Sequence, residues 1–120
     1  METNATTVEL QIHDNMPKTL LITGDGTVIF KLGIQTKTIK TSPEKVKELT
    51  NFMESKNFFS WKEQIINNSA EDAISQTIIL SKNGKSHSVF CDDSCPKEFE
   101  EVVEKIKSLW PEKIEYLGFA

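Results

Sequence analysis

His87, Cys91 and Cys95 recur at intervals of four residues and form the densest group of chemically capable side chains in this chain. Imidazole and thiolate are both zinc ligands, and a thiolate beside an imidazole is a nucleophile. Neither chemistry is complete. Three ligands with no fourth nearby do not close a structural zinc site, and the sequence pattern puts His87 and Cys91 on a strand but Cys95 at a helix start. A cysteine nucleophile also needs a polarising environment and oxyanion donors, and no glycine-rich loop or orienting Asn accompanies these residues. If the protein is secreted, a disulfide between Cys91 and Cys95 suits the spacing better than a metal does; it would stiffen the start of the helix and do no chemistry. The remaining reading is an exposed strand histidine, a half-buried cysteine and a thiol at a helix cap.

Carboxylates cluster at Asp92-Asp93 with Glu98 and at Glu100-Glu101 with Glu104. Acid–base work needs burial that drives two pKa values apart, whereas these positions belong to a helix cap and a solvated helix face. No Asp-x-Asp-x-Asp-Gly loop occurs, which speaks against calcium. Gly24-Asp25-Gly26 joins two strands with no helix behind it, so it is not a phosphate loop. The expectation is a non-enzymatic protein with no catalytic residues, no metal and no cofactor.

The elements that would carry these residues are written twice. A glycine-turned hairpin followed by a proline-opened helix appears at residues 20–30 with Ser42-Pro43-Glu44, and again at residues 77–90 with Cys95-Pro96-Lys97. Ahead of the first copy, Val8, Leu10 and Ile12 alternate with polar residues at the period of a half-buried strand. Asp14-Asn15-Met16-Pro17 breaks that strand, and two more follow around Gly24-Asp25-Gly26, where glycine accepts the positive φ of a tight turn. Gly33-Ile34-Gln35 predicts another turn, and residues 36–41 an exposed edge strand whose lysines discourage sheet-to-sheet pairing. Ser42 then caps a helix opened by Pro43, with Val46, Leu49, Phe52 and Met53 on one face. Phe58, Phe59 and Trp61 should drop into the core behind it, and residues 63–73 read as a surface loop. Residues 74–80 and 85–90 predict a hairpin about Asn83-Gly84. Asp92 to Pro96 should cap a second helix with its stripe at Phe99, Val102, Val103, Ile106 and Leu109, stopped by Trp110-Pro111. The sum is α+β: an antiparallel β-sheet built from hairpins with two α-helices on one face, in a single domain over 1–120. Residues 1–7 are expected to be a disordered tail and 111–120 a docked one.

At 120 residues, with 38% hydrophobic and 27% charged, the chain has the make-up of a folded domain with one core. Eighteen acidic residues against fourteen basic, with no basic stripe, argue against a nucleic-acid partner. No apolar run approaches the roughly 20 residues that span a bilayer, and residues 1–7 lack the pattern of a signal peptide. Two cysteines are too few for a disulfide framework. The expectation is a monomer located in the cytoplasm, with a secreted or envelope-anchored form as the alternative.

The string Ile22-Thr23-Gly24-Asp25-Gly26-Thr27-Val28, then Ser42-Pro43-Glu44 and Asn57-Phe58-Phe59, resembles a small α+β group. So do Thr77-Ile78-Ile79-Leu80, Asn83-Gly84-Lys85, and Pro96 opening a helix with Phe99. The likeness, over residues 18–109, is to the emfourin family, protein inhibitors of thermolysin-like zinc metalloproteases. It is also to a related bacterial and archaeal family of unknown function, often lipoprotein-anchored. The resemblance implies a rigid scaffold that blocks a protease cleft with surface loops. Thermolysin-like enzymes favour large apolar side chains beside the scissile bond, so it directs attention to Leu32-Gly33-Ile34, with Met16-Pro17 at the same end of the sheet. Gly24-Asp25-Gly26, at the other end, would instead offer Asp25 as a zinc-directed carboxylate. The related family implies a non-catalytic envelope or interaction domain.

Overall fold

Apolar residues at every second position bury one face of each early strand. The computed structural model describes residues 6–13, 17–66, 75–92 and 95–109. Within it, β1 (Thr7–His13), β2 (Lys18–Thr23) and β3 (Thr27–Leu32) alternate buried with half-buried side chains. β4 (Gln35–Lys40) does not: all but Ile39 are exposed. A helix α1 (Pro43–Ser55), a 3-10 turn (Phe58–Ser60) and a short strand β5 (Gln64–Ile66) follow. β6 (Ser75–Lys82), β7 (Lys85–Asp92) and helix α2 (Lys97–Lys107) complete the described elements.

The fold is α+β, with a seven-stranded sheet in the order β4-β3-β2-β1-β6-β7-β5. All pairings are antiparallel except that of β5 with β7, which is parallel. Register puts Val8 opposite Ile22 and Leu80, and Leu10 opposite Leu20 and Ile78. Directly opposed residues share a face of a sheet, so these side chains form one apolar layer. All six are fully buried, in one cluster with Leu49 and Met53 of α1 and Phe99, Val102 and Ile106 of α2. Removing each such side chain from water contributes about 2 kcal/mol. The opposite side of the sheet carries Thr7, Glu9, Gln11, Thr19, Leu21, Thr77 and Ile79, all half-buried.

The first helix starts as its sequence requires. Ser42 Oγ accepts the amide of Lys45 at 3.2 Å, and Pro43 occupies the first turn. Past the helix, Asn57 adopts a left-handed conformation (φ 60°) that turns the chain into Phe58, whose ring is fully buried.

The second helix differs from expectation. Its N-cap is Pro96, which offers no side-chain cap, and Asp92 belongs to β7, paired with Ser75. Asp93 and Ser94 lie outside the described residues. Pairing with Ser75 on one side and Ile66 on the other holds Asp92 in the strand instead of releasing it to the helix. Two further expectations are corrected. Residues 64–66, read as loop, form β5, because three residues acquire strand character only from β7 beside them. Thr7, read as tail, begins β1, and Thr6 accepts the amide of Gly24 at 2.8 Å. Residues 1–5 and 110–120, including the expected docked tail and Trp110-Pro111, lie outside the described residues.

Candidate functional site

β3 and β4 run to the rim of the sheet and meet at a two-residue turn, Gly33-Ile34, closed by the pairing of Leu32 with Gln35. Gly33 has φ 60° and Ile34 does not share the positive sign, the pattern of a type II′ hairpin turn, which matches the twist of its strands. The turn leaves Ile34 as exposed as in an extended chain, at 102%, and it is the large hydrophobic residue left exposed among those described. Leu32, two residues back, is partly buried and packs against the core. The tip is thus an apolar side chain on a hairpin anchored from below. Pro17 is exposed beside Lys18, which pairs with Leu32, so it belongs to the same end of the sheet. Met16 lies outside the described residues.

Gly24-Asp25-Gly26 occupies the opposite end, at the β2–β3 connection. Asp25 Oδ1 accepts the Thr23 hydroxyl at 2.5 Å and the Thr27 amide at 3.0 Å. Lys40 Nζ stands 3.8 Å from Oδ2. The Thr23 hydroxyl, with Thr27 and then Lys40 behind it, holds the carboxyl down at a pKa of about 2. This carboxylate organises its own turn. Gly26 is buried, with φ 97°, and a Cβ there would strike the Thr41 carbonyl oxygen. The residues expected to serve a partner are therefore split between two ends of the sheet, one built for shape and one built for support.

The residues nearest to chemistry in the sequence are placed structurally. Cys91, expected half-buried, is fully buried, and Cys91 and Cys95 form a disulfide with Cα atoms 5.9 Å apart. A bridged sulfur is neither ligand nor nucleophile. His87, expected exposed, is half-buried; its Nε2 lies 2.7 Å from the Trp61 carbonyl and its ring stands edge-on to Phe58. Among the described residues no group of three or more His, Cys, Asp or Glu is placed to hold a metal ion. Glu98, Glu100 and Glu104 are exposed. Glu101 pairs with Lys56 at 2.9 Å, and that lysine lowers its pKa. No described helix is long and apolar enough to cross a membrane.

One feature had no sequence signal. A groove of about 380 Å³ opens where Trp61 stacks on Phe99 at 6.3 Å, beside Ile65 and Pro96, with Lys62 and Glu98 at its rim. Trp61 and Phe99 lie 38 positions apart, so only the packing of α2 against the segment that follows the 3-10 turn assembles it. The Trp61 ring is fixed by its Nε1–H, which donates to the Lys56 carbonyl at 2.8 Å.

Neither the models of known protein families nor the curated proteins contain a match to this chain.

Proposed function

We propose that this protein is an inhibitor of a thermolysin-like zinc metalloprotease that enters the active-site cleft with the Leu32-Gly33-Ile34 turn and acts as a monomer, by binding alone. The observation that carries the reading is Ile34, fully exposed at the apex of a tight hairpin. An isolated apolar tip held in one conformation loses little freedom on binding, and a pocket that takes it gains the whole side chain. We read both helices as backing the same face of the sheet, so that the scaffold beneath β3 resists bending. Leu32, packed on the core, fixes the base of the turn. Asp25 is the weaker choice for zinc, because its Oδ1 is already committed to Thr23 and Thr27.

A second reading is a non-catalytic envelope or interaction domain. The Cys91–Cys95 disulfide favours an oxidising compartment, as such bonds are rare in the reducing cytosol. The two readings part on one experiment. The protein is titrated into a thermolysin-like protease acting on a fluorogenic peptide. Stoichiometric loss of activity supports the inhibitor; full activity at micromolar excess against several such enzymes removes it and leaves the interaction domain.

A further inference from the structure

Both walls of the Trp61–Phe99 groove are fastened to one strand. His87, Val89 and Cys91 fall at every second position of β7 and share a face of it. His87 Nε2 lies 2.7 Å from the Trp61 carbonyl, and the Phe90 amide donates to the Glu63 carbonyl at 2.8 Å. β5 then pairs with β7, with Ile65 opposite Cys91. Hydrogen bonds thus hold the wall of Trp61, Lys62 and Ile65. The facing wall, Pro96, Glu98 and Phe99, is joined to the same strand covalently, through Cys91 and Cys95. Pro96 gives the start of α2 no side-chain cap, so the bond is what ties that first turn down.

The two sulfurs differ in access. Cys91 is fully buried, whereas Cys95 is half-buried at the entry to the helix. A small thiol therefore reaches the bond through Cys95. The rest of the fold has its own supports: β7 is paired with β6 and β5, and Phe99, Val102, Val103 and Ile106 anchor α2 in the core. The bridge has a sequence separation of only four, and so short a loop constrains the unfolded chain little.

We propose that the Cys91–Cys95 bond is a thiol-operated switch that sets the shape of this groove. Oxidised, it clamps the first turn of α2 beside Trp61; reduced, it frees that turn while the domain stays folded. The exchange partner is a low-molecular-weight thiol. Its thiolate attacks Cys95 Sγ to form a mixed disulfide, and Cys91 leaves as a thiolate that takes up a proton. A second thiolate attacks the small-molecule sulfur of the mixed disulfide, and Cys95 leaves and is protonated in turn. Two thiols are oxidised to one disulfide, and the protein bond is reduced to two thiols. The switch does not depend on the inhibitory reading, because the β3–β4 arm that carries Ile34 lies at the opposite edge of the sheet from β5.

The test compares oxidised wild type, wild type in millimolar reduced glutathione, and Cys95→Ser without thiol. Iodoacetamide labelling read by intact mass counts thiols, and proton–nitrogen correlation spectra report the structure. Trp61→Phe identifies the Trp61 indole signal, since the chain has two tryptophans. Wild type should take no label when oxidised and two after glutathione, one for each cysteine. The Trp61 indole and the amides of Lys97, Glu98 and Phe99 should shift on reduction, while those of β1 to β4 stay in place. Cys95→Ser should show the same shifts, and oxidised glutathione should restore the first spectrum of wild type. Labelling before glutathione, or none after it, would overturn the switch. So would two labels with the Trp61 and α2 signals unmoved, or shifts absent from Cys95→Ser. Loss of signal dispersion across the whole reduced wild type would also overturn it, by making the bond a support of the fold itself.

Discussion

The carbonyl of Gly26 accepts the amide of Thr41 at 2.6 Å, joining the β2–β3 turn to the segment that leads from β4 into α1. The two residues are close because Thr27 pairs with Lys40, which brings the end of the edge strand back beside the turn. The same approach leaves no room for a side chain at Gly26. One short contact therefore fixes where the arm begins and where the first helix starts.

Gly26→Ala should destabilise the fold by about 3 kcal/mol, combining an unfavourable left-handed backbone with a collision against Thr41. Gly33→Ala is the control. Its φ is also positive, at 60°, but nothing lies within 4 Å of an added Cβ. It should cost only about 1 kcal/mol, the backbone term alone. Urea unfolding of both variants gives the comparison, and equal losses would mean that the Thr41 contact carries no weight.

Ile34→Asp should leave stability within about 0.5 kcal/mol of wild type, since the side chain touches solvent alone. Inhibition should weaken by at least about 30-fold, the equivalent of roughly 2 kcal/mol of lost apolar burial in the partner. A thermal melt and a protease titration on the same sample separate the two effects. Undiminished inhibition would move the contact away from this turn.

Asp25 makes stability depend on acid. Its folded pKa is lowered from 3.8 to about 2 by the Thr23 hydroxyl and then by Thr27. A depressed carboxylate contributes fully above its unfolded pKa, and the contribution fades as pH falls through the folded value. The advantage of wild type over Asp25→Asn should therefore be constant above about pH 5 and shrink between about pH 4 and pH 2. Melting temperatures of both proteins across that range check it; a gap that widens in acid would reverse the sign.

The bridge between Cys91 and Cys95 closes a loop with a sequence separation of four. So small a loop should contribute about 2 kcal/mol through the unfolded chain. Reduction or Cys95→Ser should lower the urea midpoint accordingly while far-UV circular dichroism stays unchanged. Wild type that ignores reductant would show that the bond does not form in solution.

Sequence by itself determined the local choices. The period of two at Val8, Leu10 and Ile12 named the buried side of β1, and Ser42-Pro43 placed the start of α1 to the residue. Asn83-Gly84 set its turn, with φ of 54° and 79°. These signals are short-range, resting on backbone sterics, capping and side-chain alternation within a few residues. Leu32-Gly33-Ile34 was legible as a turn with an apolar tip, for the same reason.

Only the tertiary structure decided what depended on distant neighbours. β5 exists because β7 lies beside it, and His87 is half-buried because the Trp61 carbonyl reaches its ring. The full burial of Cys91, the groove between Trp61 and Phe99, and the close approach of Gly26 to Thr41 follow from sheet order and helix docking. None of these is carried by a pattern of adjacent residues, because burial and non-local pairing are properties of the packed chain. The separation of Asp25 from Ile34 belongs to both: strand count alone puts them at opposite ends, but the hydrogen bonds that engage one and the solvent that surrounds the other appear only on folding.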